Sequence, residues 1–141
     1  MLKPDLSNLS EFDTLMDDHG GIDLLILAIG AKGHYAQVMP GTALKTGFHV
    51  TKLIPEISET HTKKGSDSYA GATFREYGMS LGPKQVLGAK KVIVMITGVN
   101  KKELATELFS HTSFDPQFPL SIMYHPAVAK KTSVYVTKEV V

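Results

Sequence analysis

The chain has 141 residues, of which 43% are hydrophobic and 21% charged, so it suits one folded domain rather than a disordered segment. Its 15 Lys and Arg residues are nearly balanced by 14 Asp and Glu residues, which argues against a nucleic-acid binder of the basic-patch type. No apolar run approaches the roughly 20 residues of a membrane-spanning helix, and the first five residues do not resemble a signal peptide. Without cysteine, the chain has no disulfide framework and no thiolate metal site. These features predict a small, soluble, cytoplasmic domain.

The amino-terminal part predicts a helical lead-in followed by an apolar strand. Residues 1–20 form the lead-in, in which Ser10-Glu11-Phe12-Asp13 resembles a capping box and predicts a short helix. The run Ile22–Ile29 is apolar apart from one aspartate and is too short for a typical helix. Such runs are typical of central parallel strands that are covered on both faces.

Strands and helices continue to alternate along the rest of the chain. The remaining predictions are, in order, a strand over Phe48–Ile54, a loop over Glu56–Ser68, a helix over Lys84–Ala89, a strand over Val92–Thr97, a helix capped by Asn100, and final strands over Pro119–Tyr124 and Ser133–Thr137. This order predicts an α/β fold, with an open, mostly parallel sheet flanked by helices and right-handed crossovers. We expect Ile22–Ile29 and Val92–Thr97 to be neighbouring central strands. The few strands available suggest that residues 1–141, one domain, belong to a larger unit.

The first candidate site is Gly30-Ala31-Lys32-Gly33-His34, at the carboxyl end of the first apolar strand, where open α/β sheets bind their ligands. Glycines let the backbone approach a ligand closely, and His34 can transfer a proton near neutral pH. A dinucleotide fingerprint is not met. On spacing alone, a glycine turn with an incidental histidine explains the pattern slightly better.

The second candidate site is Thr97-Gly98-Val99-Asn100-Lys101, which follows the other strong strand and begins a helix. A helix amino terminus favours anions, and Lys101 adds a point charge suited to phosphate. The third candidate, Tyr124-His125-Pro126, is better explained as a turn before proline. The histidines form no metal-binding spacing, so no metal and no cofactor are expected.

Five ordered segments together resemble one known family. They are Gly21–Gly30, Pro40-Gly41-Thr42, Gly78–Lys84, Val92–Lys101 and His125-Pro126. From about residue 20 to the end, the chain resembles the later portion of the glucosamine-6-phosphate deaminase/isomerase family. That family also includes galactosamine-6-phosphate isomerases and has 6-phosphogluconolactonases as relatives.

The resemblance implies an open parallel α/β fold that acts on an amino-sugar 6-phosphate. His34 matches the family's ring-opening histidine, and Lys101 matches its phosphate-binding lysine. The other substrate-loop positions are Gly30, Lys32, Gly33 and Thr42. Lys32 stands where the family has a carboxylate, so we expect His34 to lose its orienting partner. The family's proton-abstracting aspartate lies in an amino-terminal portion that has no match in this chain.

Three functions stay open at this point. The first is an amino-sugar phosphate isomerase or deaminase of carbohydrate metabolism, incomplete in this chain and inactive alone. The second is a non-catalytic phosphosugar-binding or regulatory domain, and the third is a 6-phosphogluconolactonase-like hydrolase. The expected ligand is a small sugar phosphate, with no nucleic acid and no membrane as partners. We also expect an exposed sheet edge or apolar face, and either a homo-oligomer or pairing with the missing amino-terminal portion.

Overall fold

A computed structural model describes residues 6–58 and 76–140 of the chain. The helices that lie wholly within these ranges are α1 (Leu9–Asp18), α2 (Pro83–Gly88), α3 (Lys102–Ser110) and α4 (Pro126–Ala129). The strands are β1 (Leu24–Ala28), β2 (His49–Lys52), β3 (Tyr77–Ser80), β4 (Lys91–Ile96) and β5 (Thr132–Val136). In the described part of the chain, short 3-10 helices cover Ala31–Gly33, Val99–Lys101 and Pro119–Tyr124.

The main sheet has the strand order β1-β4-β5, and both pairings are parallel. In register, Leu27 lies opposite Val94, which in turn lies opposite Val134. Strands β2 and β3 form a separate antiparallel ribbon. The predicted α/β class with a parallel sheet is confirmed, and the two strong apolar runs are neighbours as expected.

One face of the main sheet forms the core. Leu25 and Val94 point into it and are buried together with one residue from each of three helices: Val86 of α2, Leu108 of α3 and Val128 of α4. The alternate residues of β1 are exposed. The prediction that β1 is central and covered on both faces is therefore wrong for the described part of the chain, where β1 is an edge strand with one face covered. The side chains of β1 alternate between the two faces of the sheet, and those on the exposed face are apolar as well as those in the core. The sequence of β1 is therefore continuously apolar although only one of its faces is packed.

The segment Pro119–Tyr124 is a 3-10 helix, so the predicted strand there is wrong. Its first five residues are all buried, which gives the continuous apolar run that resembles a core strand. Ser121 fixes the helical turn, because its hydroxyl accepts a hydrogen bond from Asp115 N at 2.7 Å and donates to Asp115 O at 3.1 Å. A buried turn and a buried strand cannot be told apart from such a short run.

Neither predicted helix cap is present. Helix α1 begins at Leu9, and no side chain caps it. Instead, the Asp13 carboxylate accepts hydrogen bonds from Phe48 N at 3.0 Å and from Gln85 Nε2 at 2.6 Å, which ties α1 to the rest of the domain. Asn100 lies inside a 3-10 helix rather than at the start of α3. The Asp13 side chain therefore stabilises tertiary structure, and Asn100 lies within a 3-10 turn rather than at the end of α3.

The predicted loop over Glu56–Ser68 is only partly described. Residues 55–58 are helical, so the loop prediction is wrong for residues 56–58. Two of these residues, Ile57 and Ser58, are buried, and Ile57 packs with Met39 and Leu53 in a second small hydrophobic cluster. The rest of the predicted loop lies outside the described residues.

Candidate functional site

The two glycine-containing turns leave the sheet at the same edge. Because β1 and β4 are parallel neighbours, with Ala28 opposite Met95, the residues that follow each strand emerge side by side. The 3-10 helix Ala31–Gly33 packs against α3, and the second turn leads directly into that helix. The structure thus brings the segments that carry His34 and Lys101 to one edge.

The imidazole of His34 is oriented by a backbone carbonyl. Its Nδ1 lies 3.1 Å from Ala36 O, and since a carbonyl can only accept, Nδ1 carries the hydrogen in this arrangement. Lys32 stands where the resemblance implies a carboxylate, and a backbone carbonyl orients the His34 ring instead. The imidazole Nε2 lies directly over Gly30, where a Cβ atom would overlap the ring. Gly30 N also donates to His34 O at 2.8 Å and closes the loop.

The loop holds two non-glycine residues in the left-handed region, Lys32 at φ 56° and Ala36 at φ 45°. Each of these residues adopts a conformation that L side chains disfavour. The Lys32 ammonium points away from the core and lies 3.9 Å from the Glu56 carboxylate, with both side chains about half exposed or more. Such an exposed pair contributes little to stability, but it brings a carboxylate next to the loop. Sequence reasoning missed Glu56, because nothing local marks it as a neighbour.

Gly33 allows close packing under an aromatic ring. Its φ is +69°, and a Cβ atom added there would lie 2.5 Å from a ring carbon of Phe118. Phe118 is buried, and the His111 ring lies against it with the ring centroids 5.0 Å apart. This glycine therefore fixes both the turn and the contact between the loop and the core.

Thr42 closes a turn of its own. Its hydroxyl donates to Met39 O at 2.7 Å, and its backbone N–H bonds to the same oxygen at 3.1 Å. The adjacent Gly41 N donates to Pro116 O at 2.8 Å, which fastens this turn to the segment before Phe118. The described hydrogen bonds give Thr42 a structural role in its turn.

An exposed carboxylate, that of Glu139, lies near the turn before α3. Gly98 has φ 94°, and its carbonyl accepts a hydrogen bond from Lys101 N at 2.9 Å. The pKa of the Glu139 carboxyl lies below its usual range, because its own backbone N–H and that of Gly98 stabilise the charged form. Thr137 N donates to Ile96 O, which carries the chain end to this turn. Sequence reasoning missed Glu139, since only the β4–β5 pairing brings it here.

His125 has the structural role that its sequence context predicts. Its Nδ1 accepts a hydrogen bond from Ala127 N at 3.2 Å and so caps α4 just before Pro126. Among residues 6–58 and 76–140, no group of three His, Asp or Glu side chains could hold a metal ion. No helix in the same ranges is long and apolar enough to cross a membrane.

A cavity of about 180 Å³ lies at the opposite end of β1, between α1 and α2. Gly21 and Ile22, which precede the strand, form part of its wall. Lys84 also lines it, but its ammonium is held by Asp17 at 2.9 Å, and this hydrogen bond raises the pKa of Lys84. A paired cation at the amino-terminal edge of the sheet is a poor anion site, so the carboxyl edge is the better candidate.

No family model matches the chain. Similarity to individual proteins is clear, and three glucosamine-6-phosphate deaminases illustrate it. The protein from Halalkalibacterium halodurans is 29% identical over 112 residues, which cover 79% of this chain and 44% of the relative. The proteins from Staphylococcus epidermidis and Clostridium perfringens are 32% identical over 130 residues and 34% identical over 99 residues, covering 91% and 70% of this chain and 50% and 40% of the relatives.

The chain is related to the glucosamine-6-phosphate deaminases. It spans about half the length of the curated deaminases it matches, on their later portion, as the sequence motifs predict. A solved monomeric glucosamine-6-phosphate deaminase of the NagB superfamily has the same fold, with a TM-score of 0.81 at 23% identity over 98% of this chain and 55% of that chain. A 6-phosphogluconolactonase from Leishmania guyanensis is a more distant match, with a TM-score of 0.63 at 14% identity over 95% of this chain and 51% of that one.

Proposed function

We propose that the carboxyl edge of β1 and β4 binds an amino-sugar 6-phosphate, and that the chain forms part of a glucosamine-6-phosphate deaminase-like or isomerase-like site. The observation that carries this proposal is the parallel pairing of β1 and β4, which sends the Gly30–His34 and Gly98–Lys101 turns to one edge of the sheet. The relation to the deaminases supplies the substrate class.

The phosphate end of the sugar suits the turn before α3. The helix has nine residues, and its first N–H groups have no partner within the helix, so they favour an anion there. The ammonium of Lys101 adds a charge-assisted hydrogen bond. Lys32 and the backbone of Gly30 and Gly33 contribute from the neighbouring loop, which Thr42 and its turn help to support.

His34 suits proton transfer at the sugar ring. With the hydrogen on Nδ1 donated to Ala36 O, Nε2 accepts a proton when neutral and donates it when charged. A positioned acid or base of this kind typically accelerates a reaction about 10²–10⁴-fold. The base that would abstract the C2 proton has no match in this chain, and the family resemblance assigns it to the earlier portion. We therefore propose that the 141-residue chain binds the sugar phosphate weakly and does not convert it.

Calorimetric titration with glucosamine 6-phosphate tests this proposal. Lys101→Ala should weaken binding about tenfold or more, because a hydrogen bond to a charged group contributes roughly 1.5–3 kcal/mol. Lys102→Ala is the matched control, since Lys102 is the next residue and is exposed. Equal losses in the two variants, or no binding heat in the unmodified chain, would contradict the site.

The same samples separate the functions that the sequence left open. Release of ammonia and a ketose phosphate by the chain alone would contradict the proposed incompleteness. If the chain binds the sugar phosphate without converting it, even after the missing portion is supplied, that result would favour a non-catalytic phosphosugar-binding domain. Hydrolysis of 6-phosphogluconolactone would favour the lactonase function, which ranks lower because the curated relatives quoted above are deaminases. We also propose that the protein is cytoplasmic. We propose further that it forms a homo-oligomer or pairs with the missing portion.

A further inference from the structure

The loop after β1 carries an ion pair that joins it to a second segment of the chain. The Lys32 ammonium lies 3.9 Å from the Glu56 carboxylate, and the two side chains are 65% and 49% exposed. Lys32 lies in the same loop as His34, and Gly30 N closes that loop by donating to His34 O at 2.8 Å. The charges of the pair therefore belong to the part of the site that we assign to the sugar ring.

Both charged side chains project from fixed backbone. Lys32 has φ 56° and ψ 26°, a left-handed conformation that glycine would adopt without the cost that a lysine carries. Glu56 lies in the helical turn of residues 55–58, and the next residue, Ile57, is buried and packs with Met39, which follows the loop in sequence. The strained lysine and the anchored glutamate hold two opposite charges next to each other at the loop.

The two cations of the candidate site differ in their partners. Among the described residues, the Lys101 ammonium forms no ion pair, so its full charge is available to a phosphate. The charge of Lys32 is offset by Glu56. An amino-sugar 6-phosphate has a matching distribution of charge, with an anionic phosphate at one end and an ammonium on C2, beside the ring carbon that opens. An unpaired Lys32 would repel that ammonium, whereas a sugar with a hydroxyl on C2 would not experience this repulsion.

We propose that the Lys32–Glu56 pair determines specificity for the charge of the C2 substituent, with Glu56 offsetting Lys32 so that the site accepts an amino sugar. This inference rests on the proposed function and assigns Glu56 to the same site. With about 8 Å between the Lys32 ammonium and the bound amine, an unpaired Lys32 would weaken binding about two- to threefold in bulk water, and more where protein replaces solvent. Loss of the Lys32 charge has the opposite effect, because the carboxylate of Glu56 is then left to attract the amine.

Calorimetric titration of the full chain with glucosamine 6-phosphate and glucose 6-phosphate tests this inference, because the two sugars differ only in the C2 substituent. The titrations are made slightly below neutral pH, where the amine is protonated, and the readout is the ratio of the two Kd values. Glu56→Gln should lower the preference for glucosamine 6-phosphate about threefold or more, and Lys32→Gln should raise it. The double variant should return to the ratio of the unmodified chain. High salt should reduce each shift, because it screens exposed charges.

The ion pair of Lys84 and Asp17 supplies the matched controls. It is also exposed, at 40% and 62%, but it lies at the opposite end of β1. Asp17→Asn and Lys84→Gln remove the same charges and should leave the ratio of the Kd values unchanged. Glu56→Asp keeps the negative charge and should retain most of the preference. Urea unfolding checks that each variant is folded, and the midpoints should change little because exposed ion pairs contribute little to stability.

The outcomes separate this inference from the proposed function. An unchanged ratio in Glu56→Gln or in Lys32→Gln would overturn the specificity role, as would an equal shift in Asp17→Asn. If the ratio stays fixed while Lys101→Ala still weakens the binding of both sugars, the specificity role fails and the proposed phosphate site stands. If neither sugar binds to the unmodified chain, both proposals fail.

Discussion

Replacing Gly33 with alanine should destabilise the domain more than any other glycine-to-alanine change in the loop after β1. Two independent effects add at this position. At φ +69°, an alanine occupies the left-handed region, which costs about 1–2 kcal/mol. Its Cβ also meets the Phe118 ring, with Cδ1 at 2.5 Å and Cγ at 2.6 Å. Because Cγ does not move when the ring rotates about the Cβ–Cγ bond, that rotation cannot relieve the contact. The His111 ring also packs against the Phe118 ring.

Overpacking of this kind costs about 1–3 kcal/mol, so the expected total loss for Gly33→Ala is about 2–5 kcal/mol in the free energy of unfolding. Gly20→Ala isolates the backbone part, because Gly20 has φ +81° and nothing within 4 Å of an added Cβ. Gly30→Ala isolates a side-chain clash without backbone strain, since its φ is −117° and the three atoms nearest to the added Cβ all belong to the His34 ring. That variant should lose about 1 kcal/mol, the contribution of the His34–Ala36 hydrogen bond.

Urea unfolding followed by circular dichroism measures all three variants against the unmodified chain. The expected order of destabilisation is Gly33→Ala first, with Gly20→Ala and Gly30→Ala well behind. A Gly33→Ala variant no less stable than Gly20→Ala would refute the close contact with Phe118. A Gly30→Ala variant as unstable as Gly33→Ala would show that His34 is more tightly held than its hydrogen bond to Ala36 O indicates.

Three further predictions concern groups outside this loop. Tyr35→Phe should raise the stability by up to about 1 kcal/mol in urea unfolding, because the Tyr35 hydroxyl is buried, burial raises its pKa, and none of the described residues forms a hydrogen bond with it. A clear loss of stability would contradict this. Asp13→Ala should cost about 1–3 kcal/mol, since it leaves the buried Gln85 amide without its acceptor, and an unchanged urea midpoint would count against that network. The pKa of Glu139 is depressed in the folded state, so its stabilising contribution is present above the ordinary value of 4.5 and is lost as the pH falls through the folded value. Glu139→Gln should therefore flatten the acid side of a plot of Tm against pH, and an unchanged slope would refute the contact.

The fold was predictable where hydrophobic runs decide it. The strand β1 follows from a run of leucine and isoleucine, β4 and β5 follow from segments rich in β-branched residues, and α2 follows from a proline in its first turn. The helix Pro119–Tyr124 was not predictable, because its burial comes from packing and its turn from the Ser121 hydroxyl. The apolar character of both faces of β1 led to the prediction of cover on both faces, but the described residues cover only one of them.

The sequence predicted which turns form the candidate site, but it did not predict the individual contacts within it. The rule that parallel strands place their carboxyl ends together predicted that the turns of His34 and Lys101 meet. The orientation of His34 by Ala36 O and the approach of Glu56 and Glu139 were not predictable. The Ala36 contact depends on an alanine in the left-handed region, and the two carboxylates arrive from distant segments without a motif.

The parallel pairing of β1 with β4 has a consequence for the kinetics of folding. It joins position 24 to position 91, whereas the pairing of β4 with β5 joins position 92 to position 132. Closing the longer crossover costs only about 0.5 kcal/mol more in chain entropy, so entropy alone does not set the order. The shorter crossover, however, contains α3 and α4, whose buried side chains collapse onto β4 and β5 through contacts of lower sequence separation. We therefore expect β4 and β5 to nucleate folding and β1 to join late. During that interval the apolar edge of β4 is open to strands of other molecules, so refolding yield should fall as protein concentration rises.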